Sequence, residues 1–254
     1  MAAVIPPRTD TGPGLLSVRQ LPRSEDGQRL HTLLWSAGPG WQMISNAVLG
    51  GGIGERAWVL NAQVAHGYRR TDPDRHLADL AEAAGAQGAG VGLMTAADTT
   101  AHAHTRDEGV EALATAGVTV RGWAASREQG TVSPAVPGTI NIIAALPVAL
   151  TDAALVNAVV TATEAKVQAL LDAGYDCSGT PTDAVCVAAR KPRCGGAAHA
   201  FAGPRSLWGA RLARAVHRAV LTALPCPYSG LYVTGEVGRG YRTPPDRSSS
   251  SRKT

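Results

Sequence analysis

Short apolar runs, separated by glycine, proline and polar residues, fill much of the chain. The runs at 29–36, 41–49, 56–65, 88–98, 138–147 and 182–190 have strand length and are rich in Val, Leu and Ile, so each predicts a β-strand. The stretch "AGPG" at 37–40 predicts a hairpin or a sharp turn between the first two. The run at 108–126 fits the helical period as well as the strand period, and the pattern leaves both open.

Three other segments have the helical period, with start and stop signals. The segment "DPDRHLADLAEAAG" offers Asp72 as N-cap, Pro73 in the first turn and Gly85 as terminator. A longer helix is predicted between Thr151 or Asp152 and Gly174, and an amphipathic helix over 204–224. Because no repeat or linker divides these elements, we predict an α/β fold, a single domain with a mixed β-sheet packed by helices.

Composition sets the bounds of that domain. Residues 1–28 are rich in Pro, Gly and charge and predict a loosely ordered lead-in, so the domain is placed at 29–237. Residues 238–254 predict a disordered basic tail. The tail has five basic residues against Asp246, which accounts for the whole net charge of +4. A neutral body with a basic tail does not predict a nucleic-acid partner. Without a run of about 18 apolar residues or a secretory leader pattern, we expect no membrane partner and a cytoplasmic protein.

Four glycines within five positions make "GGGIG" at 50–54 the most conspicuous motif. Gly52–Ala57 matches the dinucleotide fingerprint G-x-G-x-x-A, but that motif needs a following helix, and the run that follows is strand-like. We therefore reject a dinucleotide site. A glycine-rich turn and a wall kept bare for a large ligand both remain open.

Metal and thiol chemistry have weak support in the sequence. His102 and His104 could share one face of a strand, but they lie in a polar stretch without a third ligand at a typical spacing, which favours a solvated loop. The four cysteines form no C-x-x-C pair, so free thiols are expected instead of a zinc site. We predict no metal site.

Several blocks, taken together in order, resemble one enzyme family. They are "SNAVLGGGIGERAWVLNAQV", "VGLMTAAD", "GTINIIAALPVALTDAALVNAVVTATEAKVQALLDAG", "TDAV" and "FAGPRSLWGARLARAVHRAV", within about residues 29–225. The chain resembles the adenosylcobinamide amidohydrolases of vitamin B12 salvage. The resemblance implies hydrolysis of the amide between aminopropanol and the corrin propionyl side chain, giving adenosylcobyric acid. It implies no cofactor for the chemistry, since the cobalt corrinoid is the substrate. A corrinoid-binding protein without hydrolytic activity is the alternative, and homo-oligomerisation is left open.

The polar residues within these blocks are the site candidates. Glu164 or Asp183 is expected to act as general base, with Lys166 supplying a proton or positive charge. Glu164 and Lys166 diverge on their helix, while the helix and the start of the next strand can face one cleft. The alternative is a structural ion pair and a turn cap. Expected substrate contacts are Ser45, Asn46, Gly50, Gly51, Gly52, Asn61, Thr95, Asp98 and Asn141. Where the family commonly has glycine, this chain has Pro181, which bears on substrate range.

Overall fold

The fold consists of ten strands and three helices, seen in a computed structural model that describes residues 14–126, 138–192 and 196–225. The strands are β1 (Val18–Glu25), β2 (Gln28–Ser36), β3 (Trp41–Ser45), β4 (Gly52–Glu55), β5 (Trp58–Gln63), β6 (Gly90–Thr95), β7 (Ala103–Asp107), β8 (Val110–Ala116), β9 (Ile140–Leu146) and β10 (Ala184–Arg190). The helices are α1 (Pro73–Ala83), α2 (Asp152–Asp172) and α3 (Leu207–Ala223), and a 3-10 turn spans Thr99–Ala101.

The strands form two mixed sheets. The four-stranded sheet has the order β1-β2-β5-β6, in which only β5 and β6 run parallel. The six-stranded sheet has the order β4-β3-β10-β9-β8-β7, in which only β9 and β10 run parallel. The predicted α/β fold class is confirmed, with two mixed sheets where the sequence predicted one.

Alternating side chains place the sheets face to face, with helices outside. Leu33 and Trp35 of β2 belong to the same buried cluster as Leu113 and Ile143 of the six-stranded sheet, which fixes the layer between the sheets. Leu34, the intervening residue, packs instead with the α1 side chains. The other face of the six-stranded sheet packs against α2 and α3. The central strands of each sheet are covered on both faces, by the other sheet on one side and by helices on the other. The result is four layers in the order α1, four-stranded sheet, six-stranded sheet, α2 with α3.

The turn at 37–40 links the two sheets instead of closing a hairpin. Strand β2 lies in the four-stranded sheet and β3 in the six-stranded sheet, so the chain changes layer across Gly38 and Gly40, both with positive φ. The run at 108–126, which fitted both periods, forms β8 over Val110–Ala116. Two of its alternating residues, Glu111 and Thr115, are polar yet buried, and this obscures the strand period.

Strand β1 lies inside the segment that the sequence predicted as a loosely ordered lead-in. It pairs along its whole length with β2, from Val18 opposite Trp35 to Glu25 opposite Gln28. The residues just before it are held by Glu111, which accepts hydrogen bonds from the Leu15 and Leu16 amides at 2.7 and 3.0 Å. The predicted basic tail at 238–254, Cys194 and Cys226 lie outside the described residues. No helix within the described ranges is long and apolar enough to span a membrane.

Candidate functional site

A cavity of about 440 Å³ opens between the two sheets at one end. We call it the inter-sheet cavity. Its lining comes from residues 46–48, 64, 65, 68, 92–96, 139 and 181–184. One wall consists of the segment after β3 and the segments leading into β9 and β10. The other consists of β6 and the segment after β5. The volume lies within the range of about 300–1,000 Å³ typical of small-molecule sites.

Chain topology explains why polar residues collect at this end. Strands β5 and β6 run parallel, so both carboxyl ends lie here, where ligand sites of open α/β sheets commonly form. Strands β9 and β10 begin at the same end, and antiparallel β3 ends there. The polar segments at 46–48, 95–96 and 182–183 therefore lie at one end of the two sheets.

Asp183 is held in place by four hydrogen-bond donors. Its Oδ1 accepts from the Ile140 amide at 2.9 Å and the Thr180 hydroxyl at 2.5 Å. Its Oδ2 accepts from Lys166 Nζ at 2.5 Å and the Thr180 amide at 3.2 Å. A carboxylate offers about four acceptor positions, and these contacts use them. The side chain thus ties α2, the start of β9 and the loop before β10 together.

Lys166 reaches Asp183 from the helix side. It is 7% exposed and lines a second cavity, of about 450 Å³, together with Trp123, Thr163 and the loop 178–181. Asp183 lines the inter-sheet cavity, so this ion pair lies between the two cavities, and Pro181 contributes to both. Gly179, with φ of +149°, packs against the pair, and a Cβ there would overlap Asp183 Oδ2 and Lys166 Nζ.

Ser45 and Asn46 attach the end of β3 to the beginning of β10. Asn46 donates through Nδ2 to the Asp183 carbonyl at 3.0 Å and accepts from the Val185 amide at 2.8 Å. Ser45 is buried and donates to the Val185 carbonyl at 2.8 Å. Asn46 remains exposed and lines the inter-sheet cavity. Of the two predicted contacts, only Asn46 therefore presents its side chain at the cavity surface.

Asn61, Thr95 and Asn141 lie in the layer between the sheets. Asn141 donates to Asn61 Oδ1 at 2.8 Å and to the Met94 carbonyl at 3.0 Å, while Asn61 donates to the Thr115 hydroxyl at 3.0 Å. The Oδ1 of Asn141 is buried and has no hydrogen-bond partner among the described residues. Both asparagines are fully buried and lie behind the cavity, whereas Thr95 lines it.

The remaining predicted site residues lie away from the inter-sheet cavity. Asp98 caps the 3-10 turn by accepting from the Thr100 amide at 2.9 Å. Glu164 is exposed on α2 and does not line either cavity within the described chain. Gly50, Gly51 and Gly52 form the entry to β4, also outside the lining.

Packing within the chain explains two of these glycines. Gly50 has φ of +69°, and a Cβ there would overlap the Gly90 carbonyl oxygen of β6. A Cβ at Gly51 would overlap the Ala47 carbonyl oxygen. Gly52 has φ of +80° but no atom within 4 Å of its Cβ position, so only its backbone conformation favours glycine. The strand β5 follows this segment, where a dinucleotide fingerprint would need a helix.

Tyr68, His76 and Glu25 form an array beside the inter-sheet cavity that the sequence did not reveal. The Tyr68 hydroxyl lies 3.0 Å from His76 Nδ1, and His76 Nε2 lies 3.4 Å from Glu25 Oε1. Tyr68 lines the cavity, and its ring stacks on the His76 imidazole. Burial lowers the pKa of His76, although the Glu25 carboxylate opposes this, and burial raises the pKa of Tyr68. Both side chains are therefore uncharged near neutral pH.

The histidine pair at 102 and 104 serves local structure. His102 bonds the Thr99 carbonyl at 2.9 Å, and His104 lies on β7 with Nε2 2.9 Å from Glu111. The segment predicted as a solvated loop is thus partly a strand, because β7 pairs with β8 along its whole length, from Ala103 opposite Ala114 to Asp107 opposite Val110. Across residues 14–126, 138–192 and 196–225, no group of three or more His, Cys, Asp and Glu side chains could hold a metal ion. Cys177 and Cys186 are buried free thiols.

Comparison with known proteins identifies related sequences. A family model described as adenosylcobinamide amidohydrolase matches residues 17–228, which include both cavities. The chain is also similar to the adenosylcobinamide amidohydrolase of Methanosarcina mazei, with 36% identity over 140 residues. That match covers 55% of this chain and 66% of the relative, slightly less than two thirds of its length.

Proposed function

Since the chain belongs to the adenosylcobinamide amidohydrolase family, we propose that it hydrolyses adenosylcobinamide. The bond cleaved is the amide that joins aminopropanol to the propionyl side chain of the corrin ring. The products are adenosylcobyric acid and aminopropanol, which places the reaction in cobalamin salvage. The inter-sheet cavity is the proposed site of the reaction.

One observation carries this proposal. Three separate segments that resemble the family, "SNAV", "LMTA" and "TDA", contribute to the lining of one cavity at the strand ends. They come from both sheets and are distant in sequence, so only the fold brings them together. A shared cavity is the simplest physical reason for these polar blocks to occur together.

The size of the cavity suggests how such a substrate would bind. A space of about 440 Å³ is too small to enclose a corrin macrocycle with all its side chains. We propose that the ring lies across the mouth, against apolar surface such as Val48, which is 54% exposed. The aminopropanol arm would then enter the cavity, where the hydroxyls of Thr139 and Thr182 and the amide of Asn46 offer hydrogen bonds.

Amide hydrolysis requires an activated water, stabilisation of the oxyanion and an acid for the departing amine. The four donors around Asp183 favour a positioning role, in which it fixes the loop 180–183 that forms one wall. Lys166 supplies the positive charge behind that wall. Glu164 as general base would require substrate to reach the exposed face of α2, so the contacts favour it least among the three catalytic candidates.

Incubation of the full chain with adenosylcobinamide in H₂¹⁸O tests the proposal. Hydrolysis predicts adenosylcobyric acid that carries one ¹⁸O in its new carboxyl group, together with an equal amount of aminopropanol, both detected by mass spectrometry. Binding of the corrinoid without product formation would instead support the alternative of a corrinoid-binding protein. If the folded protein shows no binding and no turnover, both the hydrolase proposal and the binding-protein alternative are refuted.

A further inference from the structure

The array of Tyr68, His76 and Glu25 connects the cavity to a partly buried carboxylate, whose side chain is 23% exposed. Glu25 is the last residue of β1, His76 lies in the first turns of α1, and Tyr68 lies in the segment after β5. The three elements meet at the end of the four-stranded sheet where β1 and β5 terminate, and Tyr68 and Asp183 line opposite walls of the cavity. In this order of hydroxyl, imidazole and carboxylate, the hydroxyl can exchange a proton with the imidazole, and the carboxylate orients the imidazole.

The contact with Glu25 determines which ring nitrogen of His76 carries the proton. Because the Glu25 carboxylate 3.4 Å away can accept a hydrogen bond but not donate one, we assign the Nε2–H tautomer to the neutral imidazole. The Nδ1 atom is then an acceptor, and the Tyr68 hydroxyl must donate to it. The phenolic oxygen of Tyr68 consequently keeps its lone pairs for a hydrogen bond from another donor. At a cavity wall, that donor would be a water molecule.

Burial lowers the pKa of His76, so the imidazole is neutral before the reaction and free to accept a proton. His76 has a side chain that is 6% exposed, and its charged neighbours are Glu25 and Arg23 from β1, and Arg70 and Asp72 from the preceding loop. Arg70 and Asp72 form a bidentate pair with each other, at 3.0 and 2.8 Å. Arg23 donates to Glu25 and to the Gln63 carbonyl. An imidazolium formed at His76 would face the Glu25 carboxylate, which stabilises it, while Arg23 and Arg70 oppose this effect.

We propose that Tyr68 relays the proton of the hydrolytic water to His76 during amide cleavage, a role that rests on the proposed function. The water oxygen forms a bond to the amide carbon while its proton passes to the Tyr68 oxygen, and the Tyr68 proton passes to His76 Nδ1. When the carbon–nitrogen bond breaks, the departing nitrogen takes the proton back through Tyr68. The products are a carboxylic acid and an amine, and the array returns to its initial state.

Removal of the hydroxyl tests the relay most directly. We expect Tyr68→Phe to lower kcat by at least about 100-fold, the lower bound for loss of general base catalysis, with KM changed less than about threefold. The control is Tyr175→Phe, which removes a hydroxyl bonded to the Pro225 carbonyl at 2.8 Å and outside the cavity lining. This variant should keep its kcat. If Tyr68→Phe keeps kcat within about twofold of the starting protein, or changes only KM, the relay is refuted.

Two further measurements separate the relay from a merely structural role. The ¹⁵N chemical shifts of the His76 ring should report the Nε2–H tautomer, and a ring protonated on Nδ1 would refute the proposed direction of transfer. Glu25→Gln should fold, shift the His76 tautomer equilibrium and lower kcat without a matching change in KM. An unchanged kcat in Glu25→Gln would overturn the part assigned to the carboxylate. If the unmodified protein shows no turnover, the proposed function fails together with the relay, whereas active protein with an active Tyr68→Phe variant refutes the relay alone.

Discussion

The Lys166–Asp183 ion pair should be strongly coupled, and a double-mutant cycle measures this coupling. The two side chains are 9% and 10% exposed and 2.5 Å apart. Removal of one partner from a buried pair costs about 3–5 kcal/mol, because the other charge stays buried without compensation. We expect Asp183→Asn to cost about 4 kcal/mol, since it leaves the Lys166 ammonium uncompensated. Lys166→Met should cost about 3 kcal/mol, since three other donors still hold the Asp183 carboxylate.

The double variant should cost less than the sum of the single variants, by at least about 1.5 kcal/mol. Urea unfolding followed by circular dichroism gives these free energies. The matched control is Lys191–Glu55, which has the same 2.5 Å separation but side chains 42% and 66% exposed. Its Lys191→Met and Glu55→Gln cycle should give a coupling below about 1 kcal/mol. Additivity at the buried pair within about 0.5 kcal/mol, or a coupling equal to the control, would refute the reasoning.

Turnover per folded molecule in the same variants distinguishes an anchor from a general base. If Asp183 positions the loop 180–183, its Asn variant loses activity and stability together. A general base predicts a fall of at least about 100-fold in the folded fraction, larger than any loss in the Lys166→Met variant.

Three further expectations concern other parts of the molecule. Burial alone would raise the pKa of Glu111, but hydrogen bonds from His104, the Leu15 and Leu16 amides and Arg106 lower it to about 2. Its stabilising effect should be complete above pH 4.5 and disappear as the pH falls from 4.5 to about 2, and Glu111→Gln should flatten that part of the stability–pH curve. Gly50→Ala should lower the melting temperature more than Gly52→Ala, because only the former adds an overlap with Gly90 to an unfavourable φ; equal shifts would contradict this. Glu164→Gln should change stability by less than about 0.5 kcal/mol, and a large loss of turnover would restore Glu164 as the general base.

Local signals predicted the helices and central strands well. Thr151 caps α2 by accepting from the Ala154 amide at 3.2 Å, and Gly174 follows the helix with φ of +81°. Asp72 occupies the N-cap position of α1 as predicted, but its carboxylate binds Arg70 instead of the helix amides. These elements are encoded by short-range periodicity and capping, which the sequence displays directly.

Pairing between distant strands is what the sequence does not display. The alternation of apolar and polar residues shows which side chains share one face of a strand, but not which strands pair with one another. The division of the strands into two sheets therefore could not be predicted. Strand β1 has mostly polar residues because it is an edge strand, and this made it look like a loop.

The candidate site was predictable only where its residues lie in motifs that can be seen in the sequence. Lys166 and Asp183 do meet, but as a direct ion pair with little exposed surface, which is the alternative that the sequence left open. Tyr68, His76 and Glu25 lie in no common motif, and only the packing of α1 against the four-stranded sheet brings them together.

A blocked cavity is the most direct test that the inter-sheet cavity performs the hydrolysis. Val48 lines the cavity and is 54% exposed, whereas Val156 is 52% exposed on α2 and lies outside the lining, so Trp substitution tests position at equal exposure. The measurement is kcat/KM for adenosylcobinamide in Val48→Trp and Val156→Trp, with melting temperatures to confirm folding. We predict that Val48→Trp lowers kcat/KM by at least about tenfold, which is about 1.4 kcal/mol of transition-state stabilisation. The kcat/KM of Val156→Trp should stay within about twofold of that of the unmodified protein. Equal kcat/KM values in both variants would contradict the assignment of the reaction to this cavity.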